Sequence, residues 1–452
     1  VSLAQVNQLW RYLTEGGVEN WIHALQFLAD ACLGTDYRPG PVQPIPAVGC
    51  YTPPAQGAIA PQAPRVGVLF YRAHYLAGNL APIDALCQAL SDRGLAAIPV
   101  FVASLRDPDG QTEVQAWFQP KDEPAVDLVL NTTSFAIASP DGAAPRLWQQ
   151  LDVPVLQVIL SGGTQAQWAE QPRGLSPRDI AMNVALPEVD GRIITRAISF
   201  KTVQTRHAQL ETDVVTYEPV DDRVAFVAEL AANWVQLRRT PVGDRKVALI
   251  LANYPTRDGR LANGVGLDTP ASCVEILKAL HHAGYTLGDY PQTSDELIQQ
   301  LTLGPTNDPE GRQTRPLQQS LALAAYQSYF ASLPPTVQQE LGDRWGTPER
   351  AMAETPLLPI PGRQFGHIFV GIQPARGYDQ DPSLNYHAPD LEPTHAYLAF
   401  YHWLRHEFGA QAIAHIGKHG NLEWLPGKGI ALSATCYPEV ALGALPQLYP
   451  FI

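Results

Sequence analysis

Charge is scarce in this chain, and basic charge scarcer still. Asp, Glu, Lys and Arg make up 17% of its 452 residues, and 31 basic side chains face 44 acidic ones, a formal charge of −13. So little charge argues against long disordered arms, and an acidic balance disfavours phosphate backbones and anionic membranes, so nucleic acid is not an expected partner. Cysteine is also rare: five residues, Cys32, Cys50, Cys87, Cys273 and Cys436, odd in number, far apart and without a C-x-x-C pair. That excludes a zinc ribbon and a disulfide framework, and fits a reducing, cytoplasmic setting. No apolar run reaches the roughly 20 residues needed to span a bilayer. No signal peptide, internal repeat or heptad run is visible. The phosphate-loop pattern G-x-x-x-x-G-K-[ST] is missing, since Gly417-Lys418 and Gly427-Lys428 are followed by His and Gly. A G-x-S-x-G elbow is missing too, which weakens a serine-hydrolase reading.

Hydrophobic residues make up 45% of the chain, enough for two or three cores at this length. Residues 1–50 read as helical: Leu3, Val6, Leu9, Trp10 and Leu13 recur at helical spacing, as do Trp21, Leu25 and Leu28. A proline cluster from Pro39 to Pro46 ends this part. Strands are predicted at 65–71, 97–102, 126–130 and 153–159, with helical patterns between them, including 80–93 with Gly94 as its stop. Pro99 points to an edge or a strand start. A long helix over 221–239 precedes a second strand–loop–helix series: a strand at 246–253, a helix at about 271–283, a mostly helical stretch at 291–355, a strand at 366–372, a helix at 393–408 and a strand at 411–416. Alternating strands and helices predict α/β architecture, multi-domain, with Rossmann-like parallel-sheet units and added helical segments. The expected division is a helical segment and linker over 1–60, a first α/β domain over 61–240, and a second α/β region over 241–452. The segment Leu445-Pro-Gln-Leu-Tyr-Pro-Phe-Ile452 ends without a terminal helix or a polar taper, and reads as a cut through a larger protein.

The densest chemistry follows the last long strand: His415-Ile-Gly-Lys-His-Gly-Asn-Leu-Glu-Trp-Leu-Pro-Gly-Lys428. Imidazole and carboxylate accept protons near neutral pH and bind divalent metals, so His415, His419 and Glu423 are candidate catalytic residues and metal ligands. The glycines make one continuous helix improbable, so spacing alone does not prove convergence. The alternative is one histidine capping a strand and the other solvated. A second candidate is the loop after the strand at 246–253, Tyr254-Pro-Thr-Arg-Asp-Gly-Arg-Leu-Ala-Asn-Gly-Val-Gly-Leu-Asp-Thr-Pro270. A strand, a glycine-bearing loop and a helix place ligands at the carboxyl end of a sheet. Arg257, Asp258, Arg260 and Asn263 there are candidate ligand contacts, against a reading in which Arg–Asp pairs only brace a surface loop. A third is Tyr386-His-Ala-Pro-Asp-Leu-Glu-Pro-Thr-His395, which adds His387 and His395; either histidine is otherwise structural.

His419-Gly-Asn-Leu-Glu-Trp-Leu-Pro-Gly-Lys428, with Leu432-Ser433, the segment 445–452, Asn253-Tyr-Pro, Arg257-Asp-Gly-Arg, Asn263-Gly-Val-Gly-Leu-Asp-Thr-Pro270 and Gly67-Val-Leu-Phe-Tyr-Arg72, resembles the large subunits of the CobN/magnesium chelatase family. Magnesium-type members have Ala-Leu-Glu-Phe-Met where this chain has Asn421-Leu-Glu-Trp-Leu425, so the cobalt type is the better match. The resemblance implies an N-terminal-to-central fragment of a catalytic subunit whose partner subunits hydrolyse ATP, the fragment alone being inactive. The implied reaction is insertion of Co²⁺, as substrate metal, into hydrogenobyrinic acid a,c-diamide in cobalamin biosynthesis, a ligase reaction forming nitrogen–metal bonds. ATP and Mg²⁺ are implied on an AAA+ ATPase subunit and its companion (CobS/CobT-like, or the I/D subunits of magnesium chelatase), not on this chain. Glu423, His419 and His415 are then proton acceptors and transient cobalt ligands. Lys418, Lys428, Arg257 and Arg260 pair with peripheral carboxylates, and Trp424 and Tyr254 pack on the ring. Three alternatives remain open on sequence alone: a magnesium chelatase H subunit acting on protoporphyrin IX, a zinc-dependent hydrolase, and a non-catalytic tetrapyrrole carrier or sensor.

Overall fold

A computed structural model describes residues 2–54, 60, 62–138, 146–254, 257–310, 314–351, 356–378 and 388–450. The chain divides into two compact units, Val1–Ala232 and Asn233–Ile452. Both are α/β, built around parallel sheets. No helix among the described residues is long and apolar enough to cross a membrane.

The first unit opens with the helices Leu3–Glu15 and Val18–Leu33. Its sheet contains β1 (Val48–Cys50), β2 (Arg65–Tyr71), β3 (Ala96–Val102), β4 (Leu128–Asn131), β5 (Val155–Ser161), β6 (Ile193–His207) and β7 (Thr212–Pro219). The spatial order is β1-β3-β2-β4-β5-β6-β7. The strands β3, β2, β4, β5 and β6 are mutually parallel, and β1 and β7 close the edges antiparallel. Pro99 was expected at an edge or a strand start. It lies within β3, the outermost parallel strand, where only the short β1 covers it, and its carbonyl accepts from Tyr51 N–H just beyond the end of β1. Its missing N–H is tolerated there because the outer ladder runs out at that point. The β6–β7 hairpin is absent from the sequence reading: β7 is mostly exposed, so it shows no buried apolar run, and it is held as a strand by β6.

The helix Asp221–Arg239 leads into the second unit. Its strands are β8 (Val247–Leu251), β9 (Ser320–Ala322), β10 (Leu357–Pro359), β11 (Gly362–Phe365), β12 (Ile368–Ile372), β13 (Ala412–Ile416) and β14 (Gln447–Leu448). The main sheet runs β11-β12-β8-β13-β14, parallel from β12 to β14, while β9 and β10 form a separate antiparallel pair. Alternation along the strands splits the core. Ala248, Ile250, Phe369 and Ile413 face Tyr397, Phe400, Tyr401 and Leu404 of the helix His395–His406. Val247, Leu249, Leu251, Ile368, Val370 and Ile372 face Cys273, Val274 and Leu277 of the helix Thr269–His282. Each such Leu or Ile withdrawn from water contributes about 1.5–3 kcal/mol. The second helix starts where Asp268 caps it, its carboxylate accepting from Ala271 N–H at 3.0 Å, with Pro270 in the first turn.

Because helices following adjacent strands lie on opposite faces, the loops leaving β12, β8 and β13 part around the carboxyl edge of the sheet. This is where parallel α/β sheets bind ligands.

Candidate functional site

Four neighbouring strands deliver polar groups to that edge. After β8 come Asn253 and Tyr254, after β12 the stretch Gln373 to Tyr378, after β13 the stretch Gly417 to Trp424, and after β14 Tyr449. The loops are stitched together. Tyr378 donates its hydroxyl to the Tyr254 carbonyl at 2.8 Å, and buried Arg376 reaches the Trp424 carbonyl and, at 3.0 Å, that of Ala388. Asn421, fully buried, accepts from the Tyr397 hydroxyl at 2.7 Å and donates to the Pro374 carbonyl at 3.2 Å. Asn253 accepts from Ala262 N–H at 2.9 Å, which folds the glycine-bearing loop back on its strand. Gly417 sits so close to Ala252 that a Cβ at 417 would overlap the Cβ of Ala252.

At the centre of this edge are Glu423 and His419. Glu423 lies on a short 3-10 turn, Leu422–Trp424, its side chain partly open to solvent. Its Oε2 accepts from the Tyr449 hydroxyl at 2.8 Å, and its Oε1 lies 3.3 Å from His419 Nδ1. The same Nδ1 contacts the Tyr254 hydroxyl and lies 3.0 Å from the Gly420 carbonyl. The Tyr254 hydroxyl also lies 2.6 Å from the Gly420 carbonyl, so tyrosine, imidazole and backbone converge on one point. Burial, and then the neighbouring Glu423, push the Tyr449 phenol above its ordinary range, which keeps it a proton donor to that carboxylate. The result is a carboxylate and an imidazole side by side at the rim, each anchored by a tyrosine.

His415 is placed differently from the sequence expectation. It lies within β13, 1% exposed, with Nε2 2.9 Å from the Tyr401 hydroxyl and Nδ1 3.3 Å from Gln447 Nε2. Burial drives its pKa down to about 3, so it is neutral at physiological pH. Both ring nitrogens are engaged, so the set His415, His419 and Glu423 does not close as one three-ligand cage. Among the described residues no three His, Cys, Asp or Glu side chains converge that way. The fold pairs His419 with Glu423 and draws His415 into the sheet beneath them, edge-on to the Tyr449 ring at 5.7 Å.

The second candidate loop is braced by a segment some fifty residues further along the chain. Exposed Arg257 pairs with Glu310 and lies 3.5 Å from Asp308. Asp258 pairs with Arg315 and accepts from Thr306 at 2.7 Å, while its N–H donates to Asp308 at 3.0 Å. Arg260 and Asn263 are exposed on the same loop, and Lys418 is exposed beside His419. Lys428 and Trp424 are partly buried. His395 lies 2% exposed at the start of its helix, held by the Tyr326 hydroxyl at 2.8 Å and the Gly346 carbonyl at 2.9 Å, and burial lowers its pKa. It pins a helix to its neighbours inside the protein. His387 lies outside the described residues.

Sequence reasoning passed over Tyr449, Arg376, Tyr378 and Tyr401. One signal was available for Arg376 and Tyr378: Gln373-Pro-Ala-Arg-Gly-Tyr378 follows an apolar strand just as the other two loops do. Tyr401 sits within a helical apolar pattern and carries no such mark.

The CobN/Magnesium Chelatase family matches the chain over residues 10–452. The chain belongs to that family. It is 46% identical to the aerobic cobaltochelatase subunit CobN of Sinorhizobium sp, over 98% of this chain and 36% of that protein. It is 47% identical to the aerobic cobaltochelatase subunit CobN of Pseudomonas aeruginosa, over 99% of this chain and 36% of that protein. Its fold is similar to that of the catalytic subunit of cobaltochelatase from Mycobacterium tuberculosis, with a TM-score of 0.84 and 34% sequence identity, over 100% of this chain and 38% of that one. The chain thus spans somewhat over a third of the length of these CobN relatives.

Proposed function

We propose that this chain is the tetrapyrrole-handling part of a cobaltochelatase large subunit, which inserts Co²⁺ into hydrogenobyrinic acid a,c-diamide while partner subunits hydrolyse ATP. The observation that carries the reading is the Glu423–His419 pair, set at the carboxyl edge of a parallel sheet and anchored by Tyr449 and Tyr254. Two features favour cobalt over magnesium. The loop reads Asn421-Leu-Glu-Trp-Leu425, and the two CobN proteins matched at 46% and 47% identity are both cobaltochelatase subunits.

Inserting a divalent metal displaces protons from the ring nitrogens, so the site must accept protons and shed them again. Tyr449 holds Oε2 of Glu423 and His419 lies against Oε1, so carboxylate and imidazole form one coupled pair that can take up and pass on those protons. The same two groups are suited to hold the incoming ion transiently, because carboxylate and imidazole both bind divalent first-row metals. His415 acts from below by supporting Tyr449. Lys418, Arg260 and Lys428 pair with the peripheral carboxylates of the macrocycle, and Arg257 joins them by exchanging an acidic partner for a ligand carboxylate. Trp424 and Tyr254 lend ring surface for stacking, while Asp258 and Asn263 shape the loop and His395 steadies the helix behind it. The sequence carries no phosphate-loop motif, so ATP and Mg²⁺ belong on an AAA+ subunit and its companion. Five unpaired cysteines fit a cytoplasmic location.

The test is Glu423→Gln in the full-length subunit, assayed with its ATPase partners. Tetrapyrrole binding, followed by absorbance, is expected to persist while cobalt insertion is lost. Wild-type turnover by the variant removes Glu423 from the mechanism.

A further inference from the structure

The apolar stripes of the two N-terminal helices face outward. Helical periodicity marks Leu3, Val6, Trp10 and Leu13 as one face of the first helix, and Trp21, Leu25 and Leu28 as one face of the second. Such a stripe ordinarily packs into the protein's own core. Here Leu3 is 87% exposed, Trp10 65% and Leu25 64%, and Val6, Leu13, Val18, Trp21, Ile22, Leu28 and Leu33 are exposed as well.

The helices are not loosely placed. Their other side carries the buried residues Tyr12, Asn20 and Ala24, two of them held by hydrogen bonds. Tyr12 is buried with its hydroxyl on the Gly40 carbonyl, and its ring lies 5.9 Å from His23 and 6.2 Å from Phe27. Buried Asn20 donates to the Gln43 carbonyl at 2.7 Å and the Gly16 carbonyl at 2.8 Å, and accepts from Gln43 N–H at 3.0 Å. Arg72 fastens the following segment through the Ile45 carbonyl at 2.9 Å. The polar bonds therefore fix which way the hairpin faces, and they turn its larger apolar surface away from the sheet.

Exposed apolar patches on soluble monomers rarely exceed a few hundred Å². The two helices pack on each other, and their outer faces carry two tryptophans and several leucines, apolar surface of the kind that is covered permanently. A partner that comes and goes with ATP hydrolysis would leave it bare for part of each cycle. The CobN relatives offer a permanent cover, because the region matched here is 36% of their length. We infer that this face is a docking surface for the portion of the same polypeptide that lies outside these 452 residues, so that the hairpin joins two parts of one full-length subunit.

The inference stands independently of the chemistry at Glu423. It is tested by placing the photo-crosslinking residue p-benzoylphenylalanine at Trp10, and separately at Leu25, in the full-length subunit. Irradiation is expected to give crosslinks within a single chain, joining either position to peptides outside the 452-residue region, at unchanged monomer mass. Crosslinks between two copies, crosslinks to an ATPase partner, crosslinks only to peptides within the 452 residues, or no crosslink at either position each overturn it. Two positions are used so that a misfolded variant at one leaves the other to decide.

Discussion

The Tyr449 hydroxyl holds Glu423 from one side, donating to Oε2 at 2.8 Å while accepting the Gly420 N–H. One phenol thereby fixes both the carboxylate and the backbone of the loop that carries it. Hydrogen bonds to charged groups contribute about 1.5–3 kcal/mol. Tyr449→Phe is expected to slow cobalt insertion by the full complex about ten- to a hundredfold, while absorbance titration shows tetrapyrrole binding unchanged. Equal loss of binding and turnover would mark Tyr449 as a scaffold for the loop instead.

His415 makes stability depend on acid. Its folded pKa, about 3, lies below the ordinary value of 6.5, so the unfolded chain binds the extra proton throughout that interval. The contribution is whole above pH 6.5 and is lost as pH falls toward 3, at about 1.4 kcal/mol per pH unit. His402, lowered to about 4 by burial and then by His406 and Arg405, acts in the same direction. His415→Gln is expected to flatten the decline of the urea midpoint between pH 7 and pH 5. An unchanged slope would show that His415 titrates normally in the folded protein.

Asn421 ties the site loop to the helix behind it. Asn421→Ala, which introduces the alanine of magnesium-type sequences, leaves the buried Tyr397 hydroxyl without its acceptor. The expected cost is about 1–3 kcal/mol, read as a lower urea midpoint. Assays with Co²⁺ and Mg²⁺ on the two tetrapyrroles are expected to show reduced cobalt insertion and no gain of magnesium insertion, because the substitution loosens a brace without adding a metal contact.

The parallel sheets were legible because their strands are short apolar runs between helical patterns; β2 and β8 are clear cases. The β6–β7 hairpin was not, since β7 is exposed and takes its strand geometry from its neighbour. Periodicity found the N-terminal helices and yet misleads about which face is inside, because Tyr12, Asn20 and Ala24 form the buried side through specific bonds rather than bulk hydrophobicity. At the site, Glu423 and His419 stood out by local density of ionisable groups. Tyr449, Arg376 and Tyr401 did not, because each acquires its partner across 14 to 48 residues of sequence, a relation fixed by strand order. The same blindness made His415 resemble a ligand, as spacing does not reveal that its ring points toward Tyr401.

The tight approach of Gly417 to Ala252 makes those positions a compensating pair. Gly417→Ala alone is expected to push the neighbouring loops apart and abolish insertion. Adding Ala252→Gly removes the obstructing methyl and leaves only contacts of about 3.5 Å or more around the new one, so the double variant is expected to recover activity. A side chain at position 417 is thus expected to be tolerated only with glycine at position 252.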